Sequence, residues 1–536
     1  MSKKYLSFSC GCKFPMDSNG CVSFDTNVSS LNMECHKTWD LISEGNTKGC
    51  FQLESRLGQS MSKKLKPSNI EQLSGLISIL RPGCLEAYRD GKSVSNHYID
   101  KKNHLEDIDY FHPSLEDILK STYGEMIYQE QAMQITQKIA GFDLQEADML
   151  RKAIGKKKPE EMAKVKKRFL AGCKKQKIVT VSEAEEIFGW IEKSQRYSFN
   201  KSHAVSYAIN GYLSAYAKAH FPKMFFASYL KFAKDKIDPQ QEIKELIRNA
   251  NEMDVSVCTP DIRHLNRLFF VKENNIYFGL TDIKGVGNSV FEKMIQITQD
   301  GYDINSTDWC YILFGLLLKI NSTAAKALIT CGALDFLKKN RTMMLFEYDI
   351  ASSLTKKEAS ICETNTPDKT LKALLETLLC APRINQNRKN KITDAISLLA
   401  NPPYSLQDKI EWLSDSESSL LGAAISCSKL DSYDISMTNM DCKSFKKTHI
   451  NKNIIIAGEI SGVNVVKTKK GKNPGQEMAF VTIEDSTGIL DSVIMFPEAW
   501  SEYKHHIFDN NVLVFVGNKT KQSDGLIVEK CFNAHT

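Results

Sequence analysis

Apolar residues recur at three- and four-residue spacing through most of the first 236 positions. The clearest runs, at 70–80 (IEQLSGLISIL), 115–121, 129–142, 160–173 and 182–194, predict a succession of amphipathic helices. Breakers and caps fall between them, at Pro113, Gly141, Pro159 and Ser182. A further helix is predicted at 241–254, and FFVKENNIYFGL at 269–280 reads as a hairpin turning at Glu273, Asn274 and Asn275. Helices joined by polar linkers return from 341 to 445. From Asn453 the period shortens to two, and five strand-like runs separated by turn residues predict a small β-barrel. The expected fold class is therefore multidomain α+β. Its parts are an irregular Cys-rich lead-in at 1–48, a mostly α-helical domain at 49–236, a third domain at 237–340, a helical linker region at 341–449 and the barrel at 450–536.

Composition narrows the class. With 42% hydrophobic and 25% charged residues the chain is ordinary globular protein, and 536 residues need several cores. The longest apolar stretch, Tyr311 to Ile320, is about half of a membrane span, and MSKKYLSFSC lacks an apolar signal core, so neither membrane insertion nor secretion is expected. Fifteen cysteines, an odd number without framework spacing, read as reduced thiols of a cytoplasmic protein. Cys10, Cys12, Cys21 and Cys35 raise zinc as an alternative. Their C-x-C-x8-C-x13-C spacing departs from the usual C-x2-C pairs, so unligated thiols are the default.

Charge is informative through its placement. The net +6 is small, yet Arg151–Lys177 holds twelve Lys/Arg against Glu160 and Glu161, a stripe suited to phosphates or, more plainly, a solvated helix face. At 150–158 (LRKAIGKKK), Arg151 and Lys152 precede Gly155, which is expected to turn the backbone, and then Lys156, Lys157 and Lys158 before Pro159 opens the next helix. At 198–208 (SFNKSHAVSYA), Asn200, Lys201, Ser202 and His203 are all donors at the start of a helix whose dipole also favours an anion. A polyphosphate would satisfy both segments. The competing reading is that Asn200 or Ser202 only caps the helix and His203 is structural.

Two further segments suit nucleic acid. In GLTDIKGVGNSVFEKMI (279–295), Lys284, Gly285 and Gly287 make a tight turn into an amphipathic helix, which lets backbone amides approach a DNA phosphate without reading sequence. LITCGALD at 328–335 looks like a second such hairpin. In the barrel, the loop VVKTKKGKNPGQ (465–476) carries Lys467, Lys469 and Lys470, while Phe480, Phe496 and Trp500 are stacking candidates that also suit a core, the core being favoured for Phe480 because its strand alternates. No Ser-His-Asp order, Walker loop or HExxH helix occurs.

The stretches GCFQLESRLG (49–58), LKPSNIEQLSGLISILRPG (65–83), YGEMIYQEQAMQITQKIAGF (123–142), EADMLRKAIGKKKPEEMAK (146–164) and RYSFNKSHAVSYAINGYLSAYAKAHFP (196–222) together resemble the fingers domain of bacterial replicative DNA polymerase III alpha subunits, the C family of DNA polymerases. IYFGLTDIKGVG with LITCGALD resembles that family's tandem helix-hairpin-helix and clamp-binding region, and EMAFVTIEDSTGILDSVIMFPEAW its OB-fold domain. The resemblance implies that Arg81, Arg151, Lys152, Lys156 to Lys158, Asn200, Lys201, Ser202 and His203 meet the incoming dNTP or template, and that the hairpin and barrel hold primer-template DNA. The family's PHP and palm domains precede the fingers, and the palm holds the catalytic magnesium ions. Nothing in these residues resembles the palm, Asp17 and Asp25 read as turn residues, and no catalytic residue is expected in this chain. The expected arrangement is the fingers and C-terminal portion of a split polymerase of phage type, with Mg and the PHP/palm on a separately encoded chain. The alternative is a noncatalytic DNA-binding or replisome-assembly protein on the same scaffold. A sliding-clamp partner rests on the resemblance alone, because AISLL at 395–399 lacks the leading Gln of a clamp-binding peptide.

Overall fold

The computed structural model describes residues 4–156, 159–194, 197–367, 369–382, 384–448, 452–468, 474–520 and 525–534, with backbone only at 154–156 and 159–161. The chain divides into two compact units, Met1–Phe221 and Pro222–Thr536.

The first unit is built along one long helix, Lys201–His220, whose small residues Ala204, Ala208 and Ala215 allow close packing on the helix Ile70–Ile79. Tyr212, fully buried on it, donates its hydroxyl to the Asn32 carbonyl at 2.6 Å. Lys218 is also fully buried, and its ammonium donates to the carbonyls of Asn46 and Lys48, both at 2.8 Å. These bonds hold the segment ahead of residue 49 against the helix. That segment itself contains a short antiparallel hairpin, Lys4–Ser7 with Lys13–Met16, and a helix, His36–Ser43. Of the remaining predicted helices, 115–121 forms only as the short Glu116–Leu119 turn of α-helix. Gln129–Ala140, Pro159–Gln176 and Val181–Ser194 form as expected, and with a further helix, Leu144–Lys156, that the periodicity did not mark, they enclose a core of Ile135, Ile139, Leu150, Phe169 and Phe188. Gly141 ends the Gln129–Ala140 helix in the left-handed conformation, φ +64°. One expectation fails here. Gly155 makes no turn, because the Leu144–Lys156 helix runs through it. Arg, Lys, Ala and Ile around it are adequate helix formers, and one glycine costs only about 1 kcal/mol.

The second unit starts with the helices Pro222–Phe232 and Pro239–Glu252 and a small sheet in which Phe270–Lys272 and Asn275–Tyr277 form the predicted hairpin. Glu273 and Asn274 supply its positive φ values. Next come the two hairpin segments, the helices Arg341–Ser352, Lys356–Glu363, Leu371–Cys380, Gln386–Ala400 and Ile410–Leu421, and then the barrel. Five strands close the barrel: Ile454–Lys467, Glu477–Asp485, Gly488–Met495, Val512–Lys519 and Leu526–Asn533. The third and fifth pair in parallel through Val493 and Leu526, with the helix Pro497–Tyr503 between the third and fourth. The long first strand pairs with both the second and the fourth. This is the topology of an OB-type barrel.

Candidate functional site

In the first unit the turn at 198–203 is held by main-chain bonds before any side chain acts. Phe199 N–H donates to the Ile127 carbonyl at 2.8 Å, and Gln129 N–H donates back to Phe199 at 3.0 Å. Asn200 then caps the long helix, its side-chain oxygen accepting from the His203 amide at 3.0 Å and from the Ser202 hydroxyl at 2.6 Å. The His203 ring nitrogen Nδ1 lies 3.0 Å from the same oxygen. Glu130 closes the remainder of the cap, accepting from Asn200 Nδ2 and from the Lys201 amide, both at 2.9 Å. So the helix start is largely satisfied from within, and the groups left presented are the Lys201 ammonium, 3.4 Å from Glu71, the Ser202 side chain and the exposed His203 ring. Arg81 joins them, its guanidinium carbon 3.6 Å from the centre of the Phe199 ring.

Arg151 and Lys152 are engaged elsewhere. Both pair with Asp148 one turn back on their own helix, at 2.8 Å each, and these bonds, from Lys152 first and Arg151 next, hold the Asp148 carboxyl below its ordinary range. The Lys156 side chain, Lys157 and Lys158 lie outside the described residues. Glu130, Glu71 and Asp148 are partners that the pattern of the chain did not single out for these cations. They lie 71, 130 and as little as 3 residues from the groups they meet, and only Asp148 sits at a spacing legible in sequence.

In the second unit the first hairpin is open. Lys284, Gly285, Gly287, Asn288 and Ser289 are exposed, while Val286 points into the core. The amides of Lys284 and Val286 are used internally, by Leu420 O and Ile283 O at 3.0 Å each. Gly285 takes φ +95° and packs against Thr323, so it has to be glycine. Gly287 has an ordinary φ of −89°, and a Cβ there would meet nothing within 4 Å. Behind the loop, burial pushes the Asp282 carboxyl up to about 6 although it accepts from the Phe269 amide at 2.9 Å. The second hairpin is different in kind. Cys331, Gly332, Ala333 and Leu334 are all buried, and Gly332 sits against the Arg341 guanidinium, so this loop packs rather than presents amides.

Gly287→Val is the clean probe of the open loop. It keeps charge and fold, and it fills the space through which a phosphate would approach the backbone. Duplex affinity is expected to fall roughly tenfold, equally on unrelated sequences, one phosphate contact being worth about 1–2 kcal/mol. Gel-shift titration on two unrelated duplexes measures it, and a loss on one sequence only would mean base reading.

On the barrel, Lys467 is exposed at the end of the first strand, and Lys469 and Lys470 lie outside the described residues. Trp500 is buried as a core residue, but Phe480 is not. It faces outward, 36% exposed, because its neighbours Ala479 and Val481 take the inner face and set the alternation against it. Phe496 is 46% exposed, so both remain stacking candidates. AISLL, at 395–399, lies inside the Gln386–Ala400 helix.

The cysteines sort differently from their spacing. Cys10, Cys12 and Cys35 converge, and the fourth member of the group is His220, with the ligand atoms all within 4.8 Å of one another. Cys21 is exposed and does not belong to it. This is the one cluster of three or more Cys, His, Asp or Glu side chains suited to a metal among the described residues. Its soft donors do not fit magnesium, which prefers oxygen, so no reaction step is assigned through magnesium in this chain.

Residues 18–177 match the bacterial DNA polymerase III alpha subunit finger domain, and residues 254–344 match a helix-hairpin-helix motif. The chain is similar to the DNA polymerase III subunit alpha of Aquifex aeolicus, 33% identical over 92% of this chain and 38% of that protein. It is 31% identical to that of Pseudomonas aeruginosa over 93% of this chain and 42% of that protein. For Bacillus subtilis the figures are 28%, 92% and 41%. The chain thus spans about two fifths of the length of the curated relatives it matches.

Proposed function

We propose that this chain, which carries a finger domain of the bacterial DNA polymerase III alpha type and a helix-hairpin-helix motif, serves DNA-templated DNA synthesis by binding the incoming dNTP and the primer-template. The observation that carries the reading is the grouping of Arg81, Lys201, Ser202 and His203 at the capped start of the Lys201–His220 helix. Polyphosphate binding asks for this arrangement: fixed cations and donors on a rigid element, with the helix dipole behind them. Glu71 and Glu130 hold Lys201 and its amide in place before an anion arrives, so little ordering remains to be done on binding. The exposed Lys284–Ser289 turn would grip the duplex backbone, and Phe480, Phe496 and the Lys467 loop would track single-stranded template. The two-metal centre would come from PHP and palm portions outside these 536 residues.

Replacing Lys156, Lys157, Lys158 and Lys201 together by Ala tests the assignment. Binding of primed template, followed by fluorescence anisotropy, is expected to weaken roughly tenfold or more at moderate salt, with a shallower salt dependence. The melting temperature should stay nearly constant, since cations that serve to meet phosphates contribute little to stability. Equal binding by the variant would remove these lysines from the site.

A further inference from the structure

The loop of the N-terminal hairpin carries Cys10 and Cys12 on either side of Gly11, whose φ of +83° closes the turn. Cys35 caps the helix His36–Ser43, and His220 is the last residue of the long helix. These three elements bring four donor atoms together. Cys35 Sγ lies 3.4 Å and Cys10 Sγ 4.0 Å from His220 Nε2, and Asn32 Nδ2 donates to Cys12 Sγ at 3.6 Å. Cys12, Cys35 and His220 are buried. The rings of Phe8, Phe14 and Tyr216 surround the imidazole, with centroids 4.7, 5.2 and 4.5 Å away. His220 Nδ1, buried as well, has no hydrogen-bond partner, so the polar neighbours that orient this ring are the sulfurs alone. Three thiols and an imidazole packed into an aromatic shell would repay their desolvation poorly through S–H contacts alone.

We infer that Cys10, Cys12, Cys35 and His220 bind a structural zinc ion. Zn–S bonds of about 2.3 Å and a Zn–N bond of about 2.0–2.1 Å in a tetrahedron put ligand atoms roughly 3.5–3.8 Å apart, which the observed spacing reaches with small adjustments. All four positions are filled by protein, so the ion has no open coordination site and is structural rather than catalytic. Binding converts three thiols to thiolates and releases their protons to solvent. The ion ties the N-terminal segment to the C-terminal end of the same helix whose N-terminal end carries Lys201 and His203, and this tie exists whether or not the chain takes part in polymerisation.

Untagged full-length chain produced with zinc in the medium should contain one zinc per chain by elemental analysis. Cobalt in its place should show the d–d bands of a tetrahedral ion and thiolate-to-cobalt charge transfer. Cys35→Ser should lose the metal, Cys21→Ser should keep it, and His220→Cys should keep it as a four-thiolate site. If Cys35→Ser does not fold, mercurial titration of the unsubstituted chain replaces it, and zinc should then be released as the thiols are modified. Absence of bound zinc and cobalt, an octahedral cobalt spectrum, or loss of metal in Cys21→Ser equal to that in Cys35→Ser would overturn the inference. A disulfide among Cys10, Cys12 and Cys35 in freshly purified reduced protein would do the same.

Discussion

Purified and supplied with primed template, the four dNTPs and magnesium, this chain is expected, on the proposed function, to extend no primer, while the same chain mixed with a PHP and palm polypeptide of the DNA polymerase III alpha type is expected to do so. Phosphoryl transfer with two metal ions needs carboxylates fixed close to both, because the attacking and leaving oxygens are neutralised together. Asp17 accepts from the amides of Asn19 and Cys21 at 2.9 and 2.7 Å, and Asp25 accepts from the Asn27 amide and the Ser30 hydroxyl, so both are turn residues, as expected from sequence. In the restored mixture Lys201→Ala should lower the extension rate on the order of 10²-fold, as loss of one fixed donor to a reacting phosphate does. Gel-resolved extension of a labelled primer reads both results. Template-directed synthesis by the chain alone would show that its own carboxylates hold the metals.

The largest stability effect is expected at Glu417. Its fully buried carboxylate accepts from Arg341 Nη1 at 2.8 Å, from the amides of Ile425 and Ser426 at 2.6 and 2.8 Å, and from the Ser426 hydroxyl at 2.5 Å. Arg341, 3% exposed, also donates to Asp335 and to the Thr330 carbonyl at the second hairpin. Glu417→Ala strips a buried guanidinium of one counter-charge and leaves two amides unmet, at a cost of about 3–5 kcal/mol. Arg341→Met with Glu417→Leu should cost less than the sum of the single changes, since the paired desolvation penalty disappears with both charges. Urea unfolding measures these differences, and a loss under about 1 kcal/mol for Glu417→Ala would mean that water replaces the carboxylate. This network also accounts for the burial of the second hairpin loop, which it ties to the helix Ile410–Leu421.

What sequence made legible was periodic. The helices Ile70–Ile79, Gln129–Ala140, Pro159–Gln176 and Val181–Ser194 and the five barrel strands followed from three-, four- and two-residue spacing, because burial on one face is a local pattern. The turn residues Glu273 and Asn274 and the cap Asn200 were legible for the same reason, their chemistry acting within three residues. The misses are nonlocal or need a choice of face. Phe480 alternates as a core residue should, but alternation does not say which face is inward. Cys21 follows Cys12 by nine residues and still falls outside the cluster, whereas His220, 185 residues beyond Cys35, falls inside. No local pattern announces that histidine. The one hint is its position at the end of a helix rich in small and aromatic residues.

That separation sets a clock during synthesis. Ribosomes add about 5–20 residues per second, so roughly 10–40 s pass between the appearance of Cys35 and that of His220. For that interval the three sulfurs have no imidazole to pack against, and the hairpin loop emerges with its thiols open to oxidation or to exchange with small thiols. Joining of the first and last parts of this unit therefore waits until residue 220 has emerged, and a ribosome stalled short of it would hold a nascent chain whose three sulfurs still lack their fourth partner.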